Sequence, residues 1–150
     1  MSEASTADRE IVITRVLKAP RDLVFEAWTK PEHVAQWFGP NGFTITTSAM
    51  EVRVGGTWRF VMHGPDGTDY RNRVDFLEVV RPERLVYDHG DDTEASVHHF
   101  RVYVTFEDSG AGRTLLTMRS VFPSREQRGF VRQGVNDGRL LGRHGFEGVL

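Results

Sequence analysis

The chain has no cysteine among its 150 residues, which excludes disulfides, thiolate metal sites and a cysteine nucleophile. It also has no apolar run long enough to cross a bilayer as a helix, and its first ten residues, MSEASTADRE, lack the apolar centre of a secretion signal. Charge of one sign is missing too: 19 Lys and Arg against 21 Asp and Glu leave a net charge of -2. Such a balance provides no electrostatic footprint for nucleic acid or an anionic membrane surface. Phosphate loops, dinucleotide fingerprints, nucleophile elbows and H-E-x-x-H pairs are all absent from the sequence, so no motif speaks for catalysis. These absences describe a cytoplasmic domain with no expected metal or cofactor.

Two short helices stand out against a background that alternates like a sheet. Pro20 suits a first helical turn, and Leu23, Val24, Ala27 and Trp28 form one apolar face after it. Thr29 and Glu32 have capping-box spacing, which predicts a second helix carrying Val34, Trp37 and Phe38 and ending at Gly39-Pro40. Helices this short cannot bury their aromatic rings against each other alone. They require a large apolar surface from elsewhere in the chain.

That surface is predicted as strands. Ile11 to Leu17 is rich in β-branched residues, and Phe43 to Val54 precedes a Gly55-Gly56 hairpin turn. Thr57 to His63 alternates, with Trp58, Phe60 and Met62 on one side. Further strands are expected over Tyr70 to Val80, Leu85 to Asp88, His99 to Glu107 and Thr114 to Phe122, with His89 to Ser96 as an exposed acidic loop. Ser124 and Gln127 match a second capping box, so a helix should begin after Pro123 and another near Arg139. The pattern predicts an α+β domain over residues 10–150 behind a flexible tail at 1–9. About six to seven antiparallel strands would curve around a C-terminal helix, with the helix pair between strands one and two.

The run R-x-L-x-A-P-x-x-x-V-F-x-A-W-T-x-P-E-H-x-x-x-W-F-G-P from Arg15 to Pro40 resembles the Aha1 C-terminal-like branch of the START/Bet v 1 superfamily. The G-G-x-W-R-F-x-M run at Gly55 to Met62, the P-D-G turn with Tyr70, P-E-R-L-V-Y at Pro82 to Tyr87 and V-T-F-E-D at Val104 to Asp108 extend the likeness. The chain departs from that pattern at Val74, where members usually carry glycine, and after Gly145, where the last helical pattern stops early. The resemblance implies a helix-grip fold with a central cavity that often takes a hydrophobic or amphipathic molecule. Relatives also include enzymes and a co-chaperone domain that stimulates the Hsp90 ATPase, so the activity has to be argued from the site.

Trp37, Phe43, Trp58, Phe60, Met62, Tyr70, Phe100, Met118 and Phe122 are the candidate ligand-contacting residues. A pocket of this composition with a few polar handles is the usual anatomy of a small-molecule site, and Tyr70 is the expected handle. Arg15 and Arg73 could hold a carboxylate, though each more simply faces solvent or pairs with an acid. His89, His98 and His99 lie near Asp88, Asp91, Asp92 and Glu94, but adjacent strand residues face opposite ways and do not make one ligand set. His63 is a candidate general base with no carboxylate evident in sequence to orient it. Three functions follow: a carrier or sensor of a small hydrophobic ligand, a protein-interaction module of co-chaperone type, and, least supported, an enzyme on a hydrophobic substrate. The protein would be a monomer or homodimer, with no nucleic acid or membrane partner.

Overall fold

The computed structural model describes residues 7–38, 42–92 and 100–124. Its strands are β1 (Glu10–Leu17), β2 (Thr44–Met50), β3 (Thr57–His63), β4 (Asp69–Val80), β5 (Arg84–Asp91), β6 (Phe100–Gly110) and β7 (Arg113–Val121). Helices α1 (Arg21–Thr29) and α2 (Pro31–Trp37) lie between β1 and β2. All seven strands form one antiparallel sheet in the order β1-β7-β6-β5-β4-β3-β2, in which the first strand pairs with the last. Sheet and helices together make an α+β curved-sheet architecture. The expected C-terminal helices, and with them the Ser124–Gln127 capping box, fall outside the described residues, as do the Gly39-Pro40 stop and His98 and His99.

Alternation decides which side of the sheet is apolar, because directly paired residues on neighbouring strands share a face. Trp58 pairs with Val74, Val74 with His89 and His89 with Phe100, and all of these belong to the inner face. Val102, Val104, Phe106 and Leu116 continue it and are fully buried. The helices cover this face. Val24, Phe25, Ala27 and Trp28 of α1 are buried, and Phe25 meets Phe106 edge-on at 5.3 Å. Leu23, expected on this face, is 38% exposed, while Phe25 takes its place because α1 presents a face one residue further round.

The helix junction also differs from expectation. Thr29 closes α1 and donates its hydroxyl to the Phe25 carbonyl at 2.8 Å, so no capping box forms with Glu32. Lys30 is the N-cap of α2 without a side-chain bond, and Pro31 at the first helical position needs no N–H partner. Pro20 likewise precedes α1 as its cap, its carbonyl accepting from Leu23 and Val24. Trp37 then locks the pair: its ring lies 4.7 Å from Trp28, and its Nε1 donates to the Ala27 carbonyl at 2.9 Å.

Two other boundaries shift. Ala7–Arg9 form a 3-10 turn in which Arg9 brackets Phe122, accepting its N–H at 2.8 Å and donating to its carbonyl at 2.7 Å. β5 runs on through His89 and Gly90, which are buried, where an exposed loop was expected. No helix among the described residues is long and apolar enough to cross a membrane.

The β2–β3 connection carries a steric test of this arrangement. Gly55 has a φ of +81°, whereas a Cβ at Gly56 would overlap the Glu51 carbonyl oxygen. Gly67, at a φ of +86°, has open space around it. Gly56→Ala should therefore cost about 2–3 kcal/mol through forced backbone movement, and Gly67→Ala only about 1 kcal/mol of dihedral strain. Urea unfolding of the two variants measures this order, and equal costs would contradict it.

Candidate functional site

The inner face of β3 to β6 is a run of stacked rings. Trp58 and Phe60 stack at 4.0 Å, and Phe38, from the end of α2, stands edge-on to both at 5.1 and 5.7 Å. The His89 ring lies 5.8 Å from Phe60 and 4.9 Å from Phe100, which stacks on Phe122 at 4.8 Å. Trp58, Phe60, Phe100 and Phe122, four of the expected site residues, thus belong to one aromatic surface. Each such pair adds about 0.5–1.5 kcal/mol beyond the area it buries.

The remaining expected residues are spread around it. Met62 pairs in register with Tyr70, and Tyr70 meets Phe43 at 5.9 Å, so these three form a half-open rim at one end. Tyr70 is 48% exposed and is a rim residue rather than an interior handle. Met118 sits on the same inner face, on β7 opposite Ile13 and Val104, toward the other edge of the sheet. Trp37 belongs to the helix pair, its one donor already used on Ala27.

Interior polarity comes from residues that the sequence did not single out for this role. His89 is 9% exposed, and its Nε2 lies 2.9 Å from the Asn72 amide oxygen. An amide oxygen only accepts, so Nε2 carries the hydrogen. Trp58 donates its Nε1 to Thr47 at 3.1 Å, and Thr114 donates its hydroxyl to the Ala19 carbonyl at 2.7 Å. Tyr87, two residues before His89 on the same face, is fully enclosed, and burial alone pushes its phenol far above the ordinary range. The signal for both was present in the sequence: Leu85, Tyr87 and His89 continue the period-2 alternation into the segment that its acidic neighbours disguise as a loop.

Opposite chemistry occupies the outer face. Arg101 meets Asp88 at 2.8 Å, Arg119 meets Glu10 at 2.9 Å, Arg59 meets Asp92 at 3.2 Å and Arg73 meets Asp75 at 3.0 Å. The Arg119 guanidinium also covers the Tyr103 ring at 4.9 Å. Arg73 is therefore an ion-pair partner, while Arg15 lies exposed on the edge strand opposite Leu116. His63 is on this outer side, not beside the inner face, and a carboxylate does orient it: Nδ1 is 2.7 Å from Asp69 and Nε2 2.8 Å from Thr46. Asp69 was overlooked because it lies across a turn from His63, where strand pairing rather than sequence spacing sets the contact. Among the described residues no group of three or more His, Cys, Asp or Glu side chains could hold a metal ion. His89 and Asp88, both in the sequence cluster that suggested one, are turned to opposite faces.

A profile of the family described as Activator of Hsp90 ATPase homolog 1-like protein matches residues 18–147. Among solved structures, a protein from Arthrobacter aurescens is similar at 28% identity over 91% of this chain and 82% of that one, with a TM-score of 0.79. A protein from Nitrosomonas europaea shares the fold at 21% identity, 99% and 97% coverage and a TM-score of 0.81. The AHSA1 protein from Silicibacter pomeroyi shares it at 17% identity, 85% and 90% coverage and a TM-score of 0.70. Comparison with curated proteins gave no significant match.

The buried phenol has a pH signature. Its folded-state pKa is raised above the model-peptide value of 10.0, so its stabilising effect is complete below that pH and is lost as pH rises beyond it. Above about pH 10 the unfolded state ionises Tyr87 while the folded state does not, and stability should fall by up to about 1.4 kcal/mol per pH unit from this group. Denaturant titrations between pH 9 and 11 on wild type and Tyr87→Phe check this. The variant should have the shallower alkaline loss, and identical slopes would refute the assignment.

Proposed function

The chain belongs to the Activator of Hsp90 ATPase homolog 1-like protein family, and on that premise we propose that it binds a small apolar or amphipathic molecule against the inner face of its sheet. The observation that carries this reading is the separation of chemistry between the faces. Inside, a continuous aromatic surface is interrupted by hydrogen-bonded polar groups such as His89 and Asn72. Outside, the side chains are tied into ion pairs. Ligand sites are built from apolar walls with a few placed polar groups, and only the inner face has that composition. Trp58, Phe60, Phe100 and Phe122 would form the floor, with Phe43, Met62 and Tyr70 at the mouth. Residues 10–150 would act as one domain, a cytoplasmic carrier or sensor.

A second reading follows from the family description: a co-chaperone-like module docking on a protein of the Hsp90 class. The charged outer face favours a polar, salt-sensitive contact over a hydrophobic one. Stimulation of a chaperone ATPase that weakens with added salt would support it. For the enzymatic reading, Tyr70 or His63 was the candidate polar group, and only Tyr70 lies on the inner face.

Substitutions on the two faces of β3 distinguish these roles. Fluorescence titration with the neutral probe N-phenylnaphthylamine should give saturable binding in wild type. Met62→Glu, which sets a charge at the apolar mouth, should weaken it by about tenfold or more, whereas His63→Ala should leave it unchanged. Equal loss in both variants, or no binding in wild type, would defeat the proposal. Native mass spectrometry of the purified protein would identify the chemical class of any molecule carried through purification.

A further inference from the structure

Among the described residues the Tyr87 hydroxyl is a buried polar atom with no hydrogen-bond partner. The side chain is 3% exposed, its ring meets Phe76 edge-on at 6.2 Å, and Val102 faces it from β6. A buried hydroxyl left unmet is costly, and such groups in native proteins commonly serve a purpose other than packing. Two residues along the same face, about 7 Å away, His89 opens onto the rings of Phe38, Phe60 and Phe100. A molecule lying along β5 would meet a hydroxyl at one end and aromatic surface along its body.

We propose that the Tyr87 hydroxyl is the polar anchor of the inner-face site, and that the ligand is a neutral, largely apolar molecule whose carbonyl oxygen accepts its hydrogen bond. This rests on the inner-face reading above and narrows it. Neutrality follows from the surroundings. Among the described residues the buried polar side chains are His89, Thr114 and Ser120, the paired arginines lie on the outer face, Arg15 is exposed on the far edge strand β1, and the charged group nearest along β5 on this face is the Asp91 carboxylate. A carboxylate brought to Tyr87 would lose its hydration without a cation in exchange. A hydrocarbon would fit the rings and leave the phenol proton unmet. A carbonyl oxygen satisfies it and adds no charge.

Three probes sharing one ring system test this by calorimetric titration: acetylnaphthalene, ethylnaphthalene and naphthoate. Wild type should bind the ketone about five- to tenfold more tightly than the hydrocarbon, with naphthoate weakest. Tyr87→Phe keeps the ring and removes only the oxygen. It should erase the ketone preference while leaving ethylnaphthalene binding unchanged, and its thermal unfolding midpoint should equal or exceed that of wild type. A ketone preference that is absent in wild type or survives in Tyr87→Phe overturns the anchor but leaves the inner-face site standing, provided the hydrocarbon still binds. Failure of all three probes overturns both. Tightest binding of naphthoate overturns neutrality, and a lowered midpoint in Tyr87→Phe shows that the hydroxyl is already satisfied in the free protein.

Discussion

A sheet with one apolar face has to cover that face, and this requirement organises the molecule. The inner side chains of seven strands form a surface larger than any single strand connection can hide, and sixteen residues of helix provide the cover in the described chain. The helix pair works as one body because the Trp37 indole is bonded to the Ala27 carbonyl and packed on Trp28. Without that bond a buried donor would stand unmet at the centre of the cover, at a cost of about 1–3 kcal/mol. Burying each of the large rings beneath it contributes roughly 1.5–3 kcal/mol, so the closure of the pair controls much of the stability of the inner face.

The same alternation that builds the core also sorts the chemistry. Hydrogen-bonding groups share the inner face with aromatic rings, the ion-paired charges of the central strands are held outside, and the inner face carries charge only toward its margins, at Arg15 and Asp91 among the described residues. Such a division suits a binding surface. The inner side can lose water at low cost wherever its polar atoms have partners, and Tyr87 is where that condition is incomplete. The outer side keeps its charges hydrated and matched, which limits adhesion to apolar surfaces.

Much of this was legible in the residues. Thr57 to His63 was bounded correctly because its alternation is clean and glycine and proline turns flank it. The two helices followed from similarly strong local signals, whereas the pairing of the first strand with the last joins residues about a hundred positions apart and no local signal fixes it. The helix junction was misread because Thr29 and Glu32 have the spacing of a capping box, yet the Thr29 hydroxyl has a nearer acceptor within its own helix. The extension of β5 was hidden because Asp91 and Asp92 dominate the local composition, although Asp92 owes its place to Arg59, a partner two strands away. Four of the candidate rings, Trp58, Phe60, Phe100 and Phe122, come together on one face, since large aromatic residues on one strand face have few other places to go. The interior polar groups were not legible, because the acidic residues beside Tyr87 and His89 mask the alternation that carries both side chains inward.

The outer ion pairs also act on folding. Asp88–Arg101 joins β5 to β6, and Glu10–Arg119 joins β1 to β7. Shift β6 by a single position against its neighbour and Arg101 would turn to the inner side while Val102 turned to water. Misaligned pairing is thereby penalised twice, once by a stranded charge and once by an exposed valine. The charged face is a proofreading device for strand alignment, at work before any ligand or partner arrives.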